Sequence, residues 1–87
     1  MYSIESTEKF KKITKKLSKK DPKQLQAIEK KIPLILENPH RFKPLSNKMA
    51  GIYRVHIMRS FVLTFEIIES EKIVKFLDYD HHDNIYF

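Results

Sequence analysis

Cysteine and tryptophan are absent from this 87-residue chain, and glycine occurs once, at Gly51. Without cysteine there can be no disulfide, no thiolate nucleophile and no Cys-based zinc site. Secreted domains of this size usually carry such staples, so a reducing cytoplasm is the expected setting. Long apolar runs are lacking too. Nothing approaches the ~20 residues that cross a bilayer, and Met1 to Glu5 has no signal-like stretch, so no membrane partner is expected. Acidic residues are in deficit, 11 Asp+Glu against 17 Lys+Arg, for a formal charge of +6. The length leaves room for one domain, 1–87, and none for doubly wound nucleotide-binding folds or deep cofactor chambers. No cofactor is expected, and any site must be an open surface or a shallow cleft. What is present suffices for folding: 41% of residues are apolar and 11% aromatic. The positive excess points to a polyanionic partner, either nucleic acid or an acidic protein.

Gly51 divides two periodicities. Tyr2 to Ile4 reads as a short extended opening. Ser6 is the expected N-cap of a first helix whose Phe10, Ile13 and Leu17 share one face, with lysines over much of the rest. A helical hairpin is expected around Ser18 to Lys20. Asp21-Pro22-Lys23-Gln24 then starts a second helix with a cap acceptor, a first-position proline and a capping-box partner. Leu25, Ile28, Ile32, Ile35 and Leu36 continue its stripe. Pro33 is expected to kink or break it near Glu29 to Ile32, and Asn38-Pro39 to stop it. His40 to Ala50 reads as a basic connecting loop carrying Arg41, Lys43 and Lys48.

Beyond Gly51 the period becomes two. Tyr53, Val55 and Ile57 alternate with Arg54 and His56, and Phe61, Leu63, Phe65 and Ile67 form the core face of the next strand. Placing both apolar sets on one face requires Ile57 opposite Phe61, Val55 opposite Leu63 and Tyr53 opposite Phe65. The connection is then the odd-length Met58-Arg59-Ser60. In that register Arg54 faces Thr64, with Glu66 diagonal to it. A third strand, Ile73 to Tyr79, follows the Glu69-Ser70-Glu71 turn. The expected fold is α+β: two N-terminal helices, paired as a hairpin, packed on one face of a small antiparallel sheet. Function is then sought on the other face.

The tail Asp80-His81-His82-Asp83-Asn84-Ile85-Tyr86 holds two of the four histidines. It reads as a solvated polar end, as a metal site, or as acid–base machinery. Against metal, adjacent histidines on an extended chain point different ways and no His pair has i,i+4 spacing, so no metal set is expected. For acid–base work, imidazole titrates near neutrality. Metal-free cleavage of RNA needs a base for the ribose 2′-hydroxyl, an acid for the leaving 5′-oxygen, cations for the phosphate and a group to hold the base. His82, His81, His56, Arg54, Arg59 and Tyr86 are the right types, and they are expected beside one sheet face. Tyr86 and Phe87 could equally be core anchors, and Arg54 an ion-pair partner of Glu66. The lysine-rich first helix is either a solvated face or a sequence-independent footprint for nucleic acid.

The whole order resembles the RelE/ParE superfamily of bacterial and archaeal toxins. The likeness is carried by the Glu37-Asn38-Pro39 stop, Lys43-Pro44-Leu45, and Tyr53-Arg54-Val55-His56-Ile57. Phe61 to Ile67 and the ending Asp78 to Tyr86 complete it. The resemblance implies a RelE-like fold, similar to microbial ribonucleases, and a toxin of a type II toxin–antitoxin pair. Its RelE branch implies an mRNA endoribonuclease (mRNA interferase) acting metal-free in the ribosomal A site and inhibiting translation. Its ParE branch implies a DNA gyrase inhibitor, and a non-catalytic RNA-binding domain is a further alternative. Implied partners are a cognate acidic RelB-like antitoxin, the ribosome and mRNA, with no DNA expected for the toxin alone. By the same resemblance His82 is the proton-transfer group with His81 or His56 as partner, and Tyr86 organises the base. Arg54 and His56 occupy strand positions often held by phosphate-clamping basic residues, with Arg59, Lys43, Lys48 and Arg41 as further phosphate contacts. Val62 stands where many active members carry arginine, and Lys43 where some carry glutamate.

Overall fold

The computed structural model describes residues 1–45 and 51–85. Its elements run β1 (Ser3–Ser6), α1 (Glu8–Lys20), α2 (Pro22–Glu37), a 3-10 turn at Pro39–Arg41, β2 (Lys43–Pro44), β3 (Ile52–Ile57), β4 (Phe61–Ile68), a 3-10 turn at Glu69–Glu71, β5 (Ile73–His81) and α3 (His82–Ile85). The sheet order is β1-β5-β4-β3-β2, antiparallel except where β1 pairs with β5 in parallel. The α+β expectation therefore holds, with an added parallel edge strand and a β2 edge in the segment read as loop.

Local chemistry explains the element ends. Thr7, rather than Ser6, caps α1: its Oγ1 accepts from the Phe10 N–H at 3.0 Å and donates to the Leu77 carbonyl at 2.8 Å, because Ser6 is already paired in β1. Asp21 by itself joins the two helices, so the hairpin turn falls after Lys20 rather than at Ser18 to Lys20. Its N–H closes α1 on the Leu17 carbonyl, and its carboxylate accepts from the Gln24 N–H. With that N–H occupied, the Gln24 side chain turns to the carboxylate instead of completing a reciprocal capping box. Pro33 does not interrupt α2, which is helical from Pro22 to Glu37. Pro33 and Glu29 are both exposed, so water can satisfy the carbonyl that loses its donor.

The β3–β4 register is the one the alternation requires, with Ile57 opposite Phe61, Val55 opposite Leu63, Tyr53 opposite Phe65 and Arg54 opposite Thr64. Met58 and Arg59 turn through positive φ, +49° and +67°. The core lies between the helices and one sheet face. Phe10 stacks on Phe76 at 5.5 Å, Phe76 meets Phe65 edge-on, and Phe65 stacks on Tyr53 at 5.7 Å. Such pairs add about 0.5–1.5 kcal/mol each beyond the area they bury. A register shift beside Thr64/Phe65 lets Phe76 and Tyr79, three residues apart, both face this core. Val62 and Ile85 are buried but lie outside that cluster. α3, which carries Ile85, packs against β5 and against β4, the strand of Val62.

Candidate functional site

On β3 the alternation that buries Val55 and Ile57 sends Arg54 and His56 to the opposite face. β2 then places Lys43 directly across from Arg54. Like charges opposite one another on neighbouring strands are destabilising unless an anion lies between or beside them. The 3-10 turn carries Arg41 to the same place, its guanidinium 5.2 Å from the centre of the Phe42 ring and its Nη2 donating to the Leu34 carbonyl at 3.4 Å. Arg54 Nη1 donates to the Leu45 carbonyl at 3.5 Å. Together Arg41, Phe42, Lys43, Arg54, Val55 and His56 line a cleft of about 320 Å³ without a carboxylate among them. Three fixed cations, an imidazole and an aromatic ring make a site for an anion with a flat apolar neighbour. A larger hollow of about 720 Å³ lies beside β1 and α1, but Glu5, Glu8, Lys11 and Lys75 line it with mixed charge and no histidine is among its described lining residues.

A clamp holds the segment that supplies Arg41. The Glu69 carboxylate accepts from the Tyr2 hydroxyl at 2.9 Å and from Lys72 Nζ at 2.6 Å, and pairs with His40 Nε2. Hydrogen bonds from Lys72, His40 and Tyr2 hold its pKa down at about 2. The chain start, the 3-10 turn and the β4–β5 connection thus meet at one exposed carboxylate.

The tail imidazoles form a second cluster. β5 ends at His81 and α3 begins at His82, whose N–H donates to the Ser60 carbonyl at 2.8 Å. This bond seats the tail against the turn that carries Arg59. The two rings stack with centroids 4.7 Å apart, and His81 also meets Phe61 edge-on at 5.6 Å. Asp80 Oδ1 accepts from the His81 N–H at 2.7 Å and from Asn84 Nδ2 at 3.1 Å, folding the chain back over itself. The Asp83 carboxylate faces both rings, with Oδ1 3.0 Å from His82 Nδ1 and Oδ2 3.5 Å from His81 Nδ1. Its N–H donates to His81 Nδ1 at 3.2 Å.

Two expectations change. Adjacent histidines do not diverge here, because the change from strand to helix at His82 swings the second ring onto the first. Nor do all the candidates share one face. The register runs His56–Val62–Asp80 in one row and Ile57–Phe61–His81 in the next, so His81 emerges on the helix-bearing side while Arg54 and His56 lie on the other. The basic cleft and His81 therefore lie on opposite faces of the sheet as well as on either side of β4. Val62 is fully buried rather than presented to solvent. Tyr86 and Lys48 lie outside the described residues. Asp83 and Phe42 received no role from sequence reasoning. The signal for Asp83 was the Asp80…Asn84 spacing, which folds the tail into a turn.

The profile of the family described as ParE toxin of type II toxin-antitoxin system, parDE, matches residues 4–86. "Putative toxin RelE4" of Methanocaldococcus jannaschii is 51% identical over 99% of this chain and 92% of its own length. Among solved structures, the chain resembles one in the E. coli RelBE toxin–antitoxin complex with a TM-score of 0.75 at 20% identity, covering 93% of this chain and 96% of that one. It also resembles one in the E. coli DinJ–YafQ complex with a TM-score of 0.78 at 18% identity, over 100% of each chain. At those identities the structures speak to the fold.

Proposed function

The chain belongs to the ParE toxin family of type II toxin–antitoxin systems, within the RelE/ParE superfamily, and from that premise we propose that it is a ribosome-dependent mRNA endoribonuclease. The reading rests on one observation: Arg41, Lys43, Arg54 and His56 converge on a cleft with no carboxylate among the described residues that line it. A basic surface of this kind suits a phosphodiester backbone. In the proposed reaction a base takes the ribose 2′-hydroxyl proton and the 2′-oxygen attacks phosphorus. The P–O5′ bond breaks, and an acid returns a proton to the 5′-oxygen. His82 carries one of these protons and His81 or His56 the other. Arg54, Lys43, Arg41, Arg59 and Lys48 offset charge on the phosphate, and Tyr86 holds the base. Because the two clusters flank β4 on opposite sheet faces, the RNA strand has to pass round the β3–β4 turn to reach both, and the ribosome supplies the walls that an open site lacks. The protein acts in the cytoplasm. A cognate acidic antitoxin covers the same cations and so keeps RNA out.

Primer extension on mRNA from cells expressing the protein should show cuts in a fixed position relative to codons. Growth arrest without such cuts rejects the reading. The family match itself favours a second one, a ParE-like gyrase inhibitor, which needs no proton carrier. Supercoiling and translation assays separate the two, and a His82→Ala variant that remains fully toxic favours the gyrase reading.

A further inference from the structure

We propose that His81, His82 and Asp83 form a binding site for a first-row divalent ion of the zinc class. Their donor atoms all lie within 4.8 Å of one another. With both oxygens of the Asp83 carboxylate toward the ion, the separations of 3.0 Å from His82 Nδ1 to Oδ1 and 3.5 Å from His81 Nδ1 to Oδ2 match the donor–donor spacing around an ion bound at about 2.0–2.1 Å. That spacing is about 3.0 Å in octahedral and about 3.4 Å in tetrahedral geometry. The two imidazoles have to open from their stack, and the ion replaces the Asp83 N–H as partner of the His81 Nδ1 lone pair. That hydrogen bond is long at 3.2 Å, so little is lost. Two other contacts hold the backbone of the site: the His82 N–H to the Ser60 carbonyl and the His81 N–H to Asp80 Oδ1.

The donor set selects the ion. Two imidazoles and one carboxylate suit Zn²⁺, Ni²⁺ or Cu²⁺, whereas Mg²⁺ and Ca²⁺ prefer oxygen alone. The three side chains are partly or well exposed, between 39% and 71%, so an ion can enter and keeps open positions for water. Occupancy turns a cluster of charge −1, with neutral imidazoles, into one of +1. It also ties up the ring nitrogens that proton transfer would use. The assignment of the site stands on geometry alone, while this inhibitory consequence rests on the ribonuclease reading.

Isothermal titration of the full chain with ZnCl₂ in a non-coordinating buffer tests the site. One ion per chain is expected. Asp83→Asn and His81→Ala should each weaken it by about tenfold or more, and His40→Ala should leave it unchanged. MgCl₂ at the same concentrations should give no heat of binding. Long-range imidazole ¹H–¹⁵N spectra should show the ion on Nδ1 of His81 and His82. No binding by Zn²⁺, or binding that survives Asp83→Asn and His81→Ala, overturns the proposal. Zn²⁺ that binds as expected in a protein that cuts no RNA upholds the site and counts against the ribonuclease reading alone.

Discussion

Replacing Val62 with alanine removes two methyl groups from a site with no solvent exposure on β4, a strand against which the short helix that carries His82 packs. Transfer alone is worth about 0.8 kcal/mol per carbon, or about 1.6 kcal/mol. A partly collapsed cavity brings the cost to about 2 kcal/mol. Against a total of roughly 4–13 kcal/mol for 87 residues, at 0.05–0.15 kcal/mol each, the change is easily measured. Urea titration should show a lowered midpoint with an unchanged slope, and thermal melting a fall of about 8–16 °C. Because α3 packs against β4, hydrogen exchange at the His82 amide, which donates to Ser60, should also quicken beyond the global change. Val62→Arg should be worse, since a guanidinium cannot stay buried there without a partner and must displace what covers it. A Val62→Ala protein within about 0.5 kcal/mol of the parent, with its His82 amide equally protected, refutes the idea that this residue anchors the tail.

Three further outcomes are expected. Glu69 has a folded pKa lowered to about 2 from an ordinary value near 4.5, so its contribution is present above 4.5 and lost as pH falls toward 2. The urea midpoints of the parent and Glu69→Gln should therefore differ at neutral pH and converge over that interval; parallel curves would refute the clamp. Thr7→Ala should cost about 1–2 kcal/mol by removing the cap of α1, while Ser6→Ala should be nearly neutral in the same melts. Lys43→Ala should weaken binding of single-stranded RNA and make the slope of log K against log salt shallower by about 0.7, one phosphate contact fewer; an unchanged slope removes Lys43 from the footprint.

The strands were legible because burial on one face imposes a period of two, and a shift of one residue would expose Val55, Leu63 and Phe65 together. The second helix was legible because Asp21-Pro22 meets the separate demands of a cap and a first turn. Pro33 misled because its local cost depends on whether water reaches the freed carbonyl, which burial decides. Ser6 misled because a serine already paired in a strand cannot also cap a helix. Of the candidate site, the face of Arg54 and His56 could be read from the β3 alternation, but the parts of Phe42 and Asp83 and the face of His81 could not.

By itself the chain determined the order of the two long helices and the three long strands, the register of the β3–β4 hairpin and the positive charge of the segment before β3, since these follow from side-chain period and local backbone chemistry. Tertiary structure decided what those residues can do together. The 3-10 turn brings Arg41 to Lys43 and Arg54, while the end of β5 turns His82 onto His81 with Asp83 between their nitrogens. β4 stands between the two groups, and Val62 is fully buried. Such placements depend on where one element stops against another through contacts distant in sequence, and no local pattern encodes them.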